Sequence, residues 1–445
     1  MRSDTMLPED LRESANRMAA AIAHRLTDTD LVDESVRGSA ARAANPFGWG
    51  GPSLFGGHAG QALLFEYAAR AVPEEADRWR AAARESLRTA ARLTQQMPLA
   101  DPSIGYGTAG LASALAECEV HQPGYRRALG AVNRKLAEQI QQFPRPDGDD
   151  GTSPARYDAI QGAAGMLGHL VSVPDPEPAV RAAADRLVDD LTWTCLPVTE
   201  YGGNARWHVA PRYLEDPDDA ARFPNGYLDL GLAHGIPGPL SALSRAWRAG
   251  YRRPAQREAI RHTADRLVAW SVTDHWGANW PRTIALDEDG APEPPVEPVG
   301  RLAWCYGAPG VCAALLDAAL ALDDDELRAT AVAGLRADLQ RLREGRAHVH
   351  TAALCHGAAG LLAIAQKFTA HGDRSIGEFV PELTERVLAG CDPSLPLMVQ
   401  QIHSNAPEIG LDSPGLLEGA AGVALTLWSA SGAVGRGCHR ALLID

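Results

Sequence analysis

Two kinds of stretch alternate along the chain. The first is amphipathic: Leu129, Val132, Leu136, Ile140 and Phe143 recur at helical offsets within 123–143, and Leu327, Val332, Leu335, Leu339 and Leu342 do so within 323–344. Each stripe predicts a helix packed on one side and wetted on the other. Comparable stretches lie near 7–27, 75–95, 177–194, 253–272 and 374–390. The second kind carries few charges and many Ala, Gly and Leu residues, the composition of a helix packed all round. It opens each time on Gly-x-x-Gly, at Gly57–Gly60, Gly107–Gly110, Gly162–Gly165, Gly235–Gly238, Gly307–Gly310, Gly357–Gly360 and Gly419–Gly422.

The first glycines follow one another at intervals of 50 to 73 residues, room for one helical hairpin and its loops. A repeat of this period governs the whole fold. Seven amphipathic and seven all-buried helices in alternation predict an all-α architecture, an α/α toroid in which residues 1–445 form one domain of seven hairpins arranged as an outer and an inner ring. The seven glycine turns then gather at one end, and chemistry carried on them converges on a central cavity. Two intervals break the helical text. Residues 195–230 are rich in Pro, Tyr, Trp, Gly and Asp and read as an inserted loop or small β-containing module, and 274–300 as a Pro-rich loop near the cavity mouth. Loops this long in a compact domain usually serve as lids or binding segments.

Charge and composition narrow the partners. With 45% hydrophobic residues over 445 positions the chain can bury a large core, and its formal net charge of −14 without a basic run argues against nucleic acid. No segment approaches the roughly 18 apolar residues of a membrane helix, and the opening residues lack the apolar centre of a signal peptide, so the expected location is the cytoplasm. The seven cysteines are scattered and odd in number, as expected for reduced thiols rather than a disulfide framework.

The candidate chemistry sits at the turns. Cys305 and Cys355 each stand two residues before a signature glycine, and His356 follows Cys355 directly. Two thiols and an imidazole form a soft donor set suited to Zn²⁺, and three protein ligands leave a fourth tetrahedral place for water or substrate. His234 occupies the register of His356 but follows Ala233, not a cysteine, so it reads as an acid/base. Asp158 has two readings, orienting that histidine or capping a helix start. Arg301 reads as a solvated loop charge, or as the cation that holds a carboxylate or a developing enolate. The His348-x-His350 pair and His58 lack partners at ligand spacing, and Cys118, Cys195, Cys312, Cys391 and Cys438 read as core thiols.

The segments GRLAWCYGAPG (300–310), ALCHGAAG (353–360), LGLAHGIPG (230–238), YDAIQGAAG (157–165), SLFGGHAG (53–60) and SPGLLEGAAG (413–422) resemble those of the lanthionine cyclases, the LanC-like proteins. The resemblance covers essentially the entire chain and implies the same double-ring toroid. It implies zinc bound by Cys305, Cys355 and His356, a surrounding catalytic set of Asp158, His234 and Arg301, and Trp304 and Tyr306 flanking the first ligand as substrate-pocket candidates. The implied reaction is intramolecular addition of peptide cysteine thiolates to dehydroalanine or dehydrobutyrine, forming (methyl)lanthionine rings. Its substrate would be a dehydrated ribosomal precursor peptide supplied by a separate dehydratase, with an exporter complex as a further candidate partner. Two alternatives share the motifs: addition of glutathione or another small thiol to dehydroamino acids, and a peptide-binding scaffold with structural zinc. The zinc site of a prenyltransferase-like ring resembles an Asp, Cys, His set instead of two cysteines and a histidine, a glycosidase needs paired carboxylates where the turns offer mainly Asp158, and the sequence supports neither.

Overall fold

The computed structural model describes residues 7–43, 49–146, 151–197, 205–294, 301–403 and 406–445. Seven helices start at the seven glycine signatures: His58–Ala71, Thr108–Glu119, Ala163–Leu170, Pro237–Arg248, Ala308–Leu322, Ala358–Ala370 and Ala420–Ser431. Their low charge has the expected consequence. Every residue of Ala420–Ser431 is buried, and Leu320 alone is not fully buried in Ala308–Leu322.

An amphipathic helix precedes each of them: Glu9–Leu26, Ala76–Gln96, Arg126–Gln142, Pro178–Cys195, Gln256–Ala269, Asp325–Arg343 and Val380–Ala389. Ala76–Gln96 buries only Trp79, Ala83, Ser86, Leu87 and Ala90. Those steps of one, three and four residues gather a single face while the rest stays in water. Trp79 is fully buried, and a side chain of that size contributes about 1.5–3 kcal/mol when it leaves water.

The chain folds as two compact units. The first holds residues 1–133 and 348–445. There Glu9–Leu26 packs on Ala420–Ser431, and the helix Thr29–Arg42 lies against a hairpin of Gln400–His403 and Ala406–Asp412. Ser39 Oγ accepts the Asp412 N–H at 2.7 Å, and Arg42 reaches the Asp412 carboxylate at 3.2 Å. Neither the helix nor the hairpin was expected from the sequence.

The second unit holds residues 134–347. Its two irregular segments form small antiparallel ribbons: Tyr227–Asp229 pairs with Thr283–Ala285, and Val272–Thr273 with Ala278–Asn279. Small sheets are therefore present, and one of them pairs the end of 195–230 with part of 274–300. The described part of 195–230 also contains the 3-10 turn Pro211–Tyr213 and the helix Pro217–Arg222, while residues 198–204 and 295–300 lie outside the described residues. Buried groups pin the second ribbon. Arg341 pairs with Asp274 at 2.6 Å and with Asp338, and the fully buried Trp280 donates its indole N–H to the Leu267 carbonyl at 2.6 Å.

Candidate metal and acid–base site

The first N–H groups of a helix have no partner within it, and at six of the seven helix starts backbone carbonyls seven residues earlier accept them. Ala358, Ala359 and Gly360 donate to the carbonyls of Thr351, Ala352 and Ala353 at 2.9, 3.1 and 3.3 Å. Thr108, Ala109 and Gly110 donate likewise to Asp101, Pro102 and Ser103. The preceding loop thus wraps over the helix start, which explains the glycines. A Cβ on Gly310 would stand 2.4 Å from the Trp304 carbonyl oxygen. Gly307 has φ of 100°, and a Cβ there would stand 1.6 Å from the Arg301 carbonyl oxygen. Only glycine fits such a turn.

The wrap leaves one outlet. In all seven turns the residue before the first glycine, Gly56, Tyr106, Gln161, His234, Tyr306, His356 or Glu418, is partly or fully exposed between buried neighbours. The chemistry of each turn is set by what occupies that place and by the residue before it.

At two turns the preceding residue is a cysteine. Cys305 is 6% and Cys355 7% exposed, the carbonyl of Cys305 accepts the Ala233 N–H at 3.3 Å, and the Cys355 N–H donates to Leu417 at 3.0 Å. The Sγ atoms of Cys305 and Cys355 and a ring nitrogen of His356 all lie within 4.8 Å of one another. Zinc bonds of about 2.0–2.3 Å hold tetrahedral donors roughly 3.3–3.8 Å apart, a separation inside the 4.8 Å within which these donors lie. The donor types and their separation therefore fit Zn²⁺.

His234 belongs to a different arrangement. Its Nδ1 lies 2.7 Å from Asp158 Oδ2, although the two are separated by 76 residues. Asp158 is fully buried, and its Oδ1 accepts the N–H groups of Ile160, Gln161 and Gly162 at 3.0, 2.6 and 2.7 Å. One oxygen gathers the N–H groups of the turn ahead of the helix, whose own N-cap is Gly162, and the other lies against the imidazole. Burial alone would push the His234 pKa down, but the Asp158 carboxylate, with Asp229 and Cys305 behind it, outweighs that and leaves it raised above 6.5.

Two functional groups escaped the sequence reading. Asp229, 1% exposed, accepts the Gly231 N–H at 2.8 Å on one oxygen and the Tyr306 hydroxyl at 3.2 Å on the other. Desolvation raises its pKa to about 6, against the opposing pull of the Gly231 N–H, His234, Arg282 and Tyr306. The Arg282 guanidinium sits 4.6 Å from the Tyr306 ring centre. Their signal lay in two short β segments more than fifty residues apart, whose pairing is invisible to a helical period.

The remaining candidates fall into place individually. Trp304 is fully buried, so it supports its turn from the core, whereas Tyr306 is partly exposed. Arg301 is exposed at the start of its loop. The rings of His348 and His350 stand 6.0 Å apart, and the set of convergent metal donors includes neither. His58 lies beside Trp49 at 5.7 Å, with its pKa lowered by burial. Cys118, Cys195, Cys312, Cys391 and Cys438 are buried thiols. Burial pushes Cys195 and Cys391 up to about 12, which makes them inert at neutral pH. No described helix is long and apolar enough to cross a membrane.

Comparison with known proteins places these features in context. Residues 48–432 match the profile of the family described as lanthionine synthetase C-like protein. The curated "Nisin biosynthesis protein NisC" of Lactococcus lactis subsp. lactis is 24% identical over 269 residues, 60% of this chain. The chain spans 62% of that relative's length in the match. Among solved structures, nisin cyclase superposes with a TM-score of 0.76 at 20% identity, covering 93% of this chain and 96% of that one. The fold is therefore the one expected, a mostly helical toroid carrying small sheets.

Proposed function

The chain belongs to the lanthionine synthetase C-like family, and from that premise we propose that it is a zinc-dependent lanthipeptide cyclase acting on a dehydrated precursor peptide. The observation that carries the reading is the convergence of the Cys305, Cys355 and His356 donor atoms within 4.8 Å. Those three residues would hold the ion and leave a place for a substrate sulfur. Bound there, zinc supplies the acidity that converts a thiol with pKa near 8.5 into a thiolate at neutral pH.

The chain's own groups manage the rest of the reaction. The substrate S–H bond is lost with its proton passing to solvent water, a C–S bond forms at Cβ of the dehydroamino acid, and Cα gains a proton from a donor that the same solvent pool recharges. His234 is the proton donor. With Nδ1 engaged by Asp158, Nε2 carries the mobile proton, and the raised pKa keeps imidazolium populated near neutrality. Arg301 is the cation for charge developing on the adjacent carbonyl. Tyr306 contacts the peptide from its partly exposed place in the turn, and Trp304 backs that turn from the core. A separate dehydratase must act first, because the substrate is already unsaturated. An exporter complex and a cytoplasmic setting belong to the same reading.

Ring closure is an isomerisation and leaves mass unchanged, so the test is a count of alkylatable thiols. Zinc-loaded protein incubated with a dehydrated cysteine-containing peptide is expected to remove them at constant mass. Thiols that persist with the zinc-loaded protein count against the reading.

A further inference from the structure

The two irregular segments of the second unit meet at one side chain. Asp229 stands opposite Thr283 across the ribbon, and the Leu230 N–H donates to the Arg282 carbonyl at 3.0 Å. The pairing brings an acid and an arginine to Tyr306 from different parts of the chain. Asp229 accepts the Tyr306 hydroxyl at 3.2 Å, and Arg282 lies over the ring at 4.6 Å, within cation–π range. Tyr306 is held at its oxygen by one group and on its face by the other.

Asp229 also shapes the next turn. Its carbonyl accepts the Ile236 N–H at 3.1 Å, and a Cβ on Gly235 would stand 2.7 Å from Asp229 Oδ1. The His234 turn is moulded against the residue that holds Tyr306, and the two rings lie 6.5 Å apart, centre to centre. A buried carboxylate is costly unless its partners compensate. Here its partners are the backbone of one turn and the phenol of another, so what it fixes is the spacing between them.

We propose that Asp229 and Arg282 are positioning residues: a clamp that sets Tyr306 against His234 and thereby fixes the gap in which the dehydroamino acid receives its proton. The inference rests on the proposed cyclase reading for its consequence in turnover, whereas the clamp itself is open to a test that needs no substrate. With 3-fluorotyrosine incorporated throughout, the resonance lost in Tyr306→Phe identifies the fluorine at this position. Asp229→Asn and Arg282→Ala should each shift or broaden that resonance while zinc content is retained. Arg282 is exposed, so its variant is expected to fold even where Asp229→Asn does not.

In turnover with a dehydrated cysteine peptide, either variant should lower kcat by about 10- to 100-fold with KM nearly unchanged. Combining Asp229→Asn with Tyr306→Phe should lose no more than Tyr306→Phe alone, because both remove one interaction. Arg282→Lys should recover part of the loss. A fluorine resonance unmoved in both variants, or losses that multiply in the double variant, would overturn the clamp. If wild-type protein leaves the peptide's thiols intact, the cyclase reading fails while the fluorine spectra still decide the clamp.

Discussion

His356 and His234 stand in the same place in two turns of the same construction, each partly exposed directly before a glycine. They face different partners. His356 follows Cys355 and shares a 4.8 Å donor cluster with two sulfurs, whereas His234 follows the buried Ala233 and gives its Nδ1 to Asp158. On the proposed reading, one backbone frame serves a metal ligand or an acid/base according to a single preceding residue and one carboxylate from another turn. The frame supplies position, and the neighbours supply the chemistry.

The largest expected effect comes from breaking the metal side. Cys305→Ala or His356→Ala should lose the zinc, about one ion per chain, as read by metal analysis, and drop ring closure to the uncatalysed rate, because two donors no longer define the site. Next, His234→Ala should keep the zinc and lose about 10²- to 10⁴-fold in turnover, the usual weight of a general acid. Wild-type turnover by that variant would remove His234 from the mechanism. Asp158→Asn should cost about 10- to 100-fold and should also move the pH profile. The Asp158 carboxylate raises the His234 pKa, so its neutralisation lowers that pKa, and imidazolium is lost at a lower pH. The alkaline limb of the rate profile should shift toward acid, and an unshifted limb would sever the pair. The smallest effect should come from Ala233→Cys, which gives the His234 turn the Cys-His sequence of the other. Metal analysis should still find about one zinc per chain, since Asp158 keeps the His234 imidazole engaged.

Much of this is legible in the sequence. The signatures mark where the seven buried helices start because the preceding backbone passes too close to the first glycine of each turn for a side chain there. The amphipathic helices followed from their period. The helix Thr29–Arg42 was missed, although Asp28 caps it by accepting the Leu31 N–H at 3.0 Å, and so was the hairpin ending at Asp412. Both lie outside the repeat, where no period points to them. The site divides in the same way. Cys305, Cys355, His356, His234 and Asp158 could be found because they sit at or near fixed distances from glycines. Asp229 and Arg282 could not, because only the pairing of Tyr227–Asp229 with Thr283–Ala285 brings them to Tyr306. Asp158 was readable in type but not in role, since nothing in the sequence says that its two oxygens serve different partners.

The central claim is that three side chains hold one zinc with a place left for a substrate sulfur, and X-ray absorption at the zinc edge addresses it directly. Zinc-loaded protein should show two sulfurs at about 2.3 Å and two lighter donors at about 2.0–2.1 Å, and the sulfur count should rise to three when a cysteine-containing peptide without dehydroamino acids is added. A sulfur count that stays at two with saturating peptide, or a spectrum that is unchanged in Cys355→Ala, would contradict it.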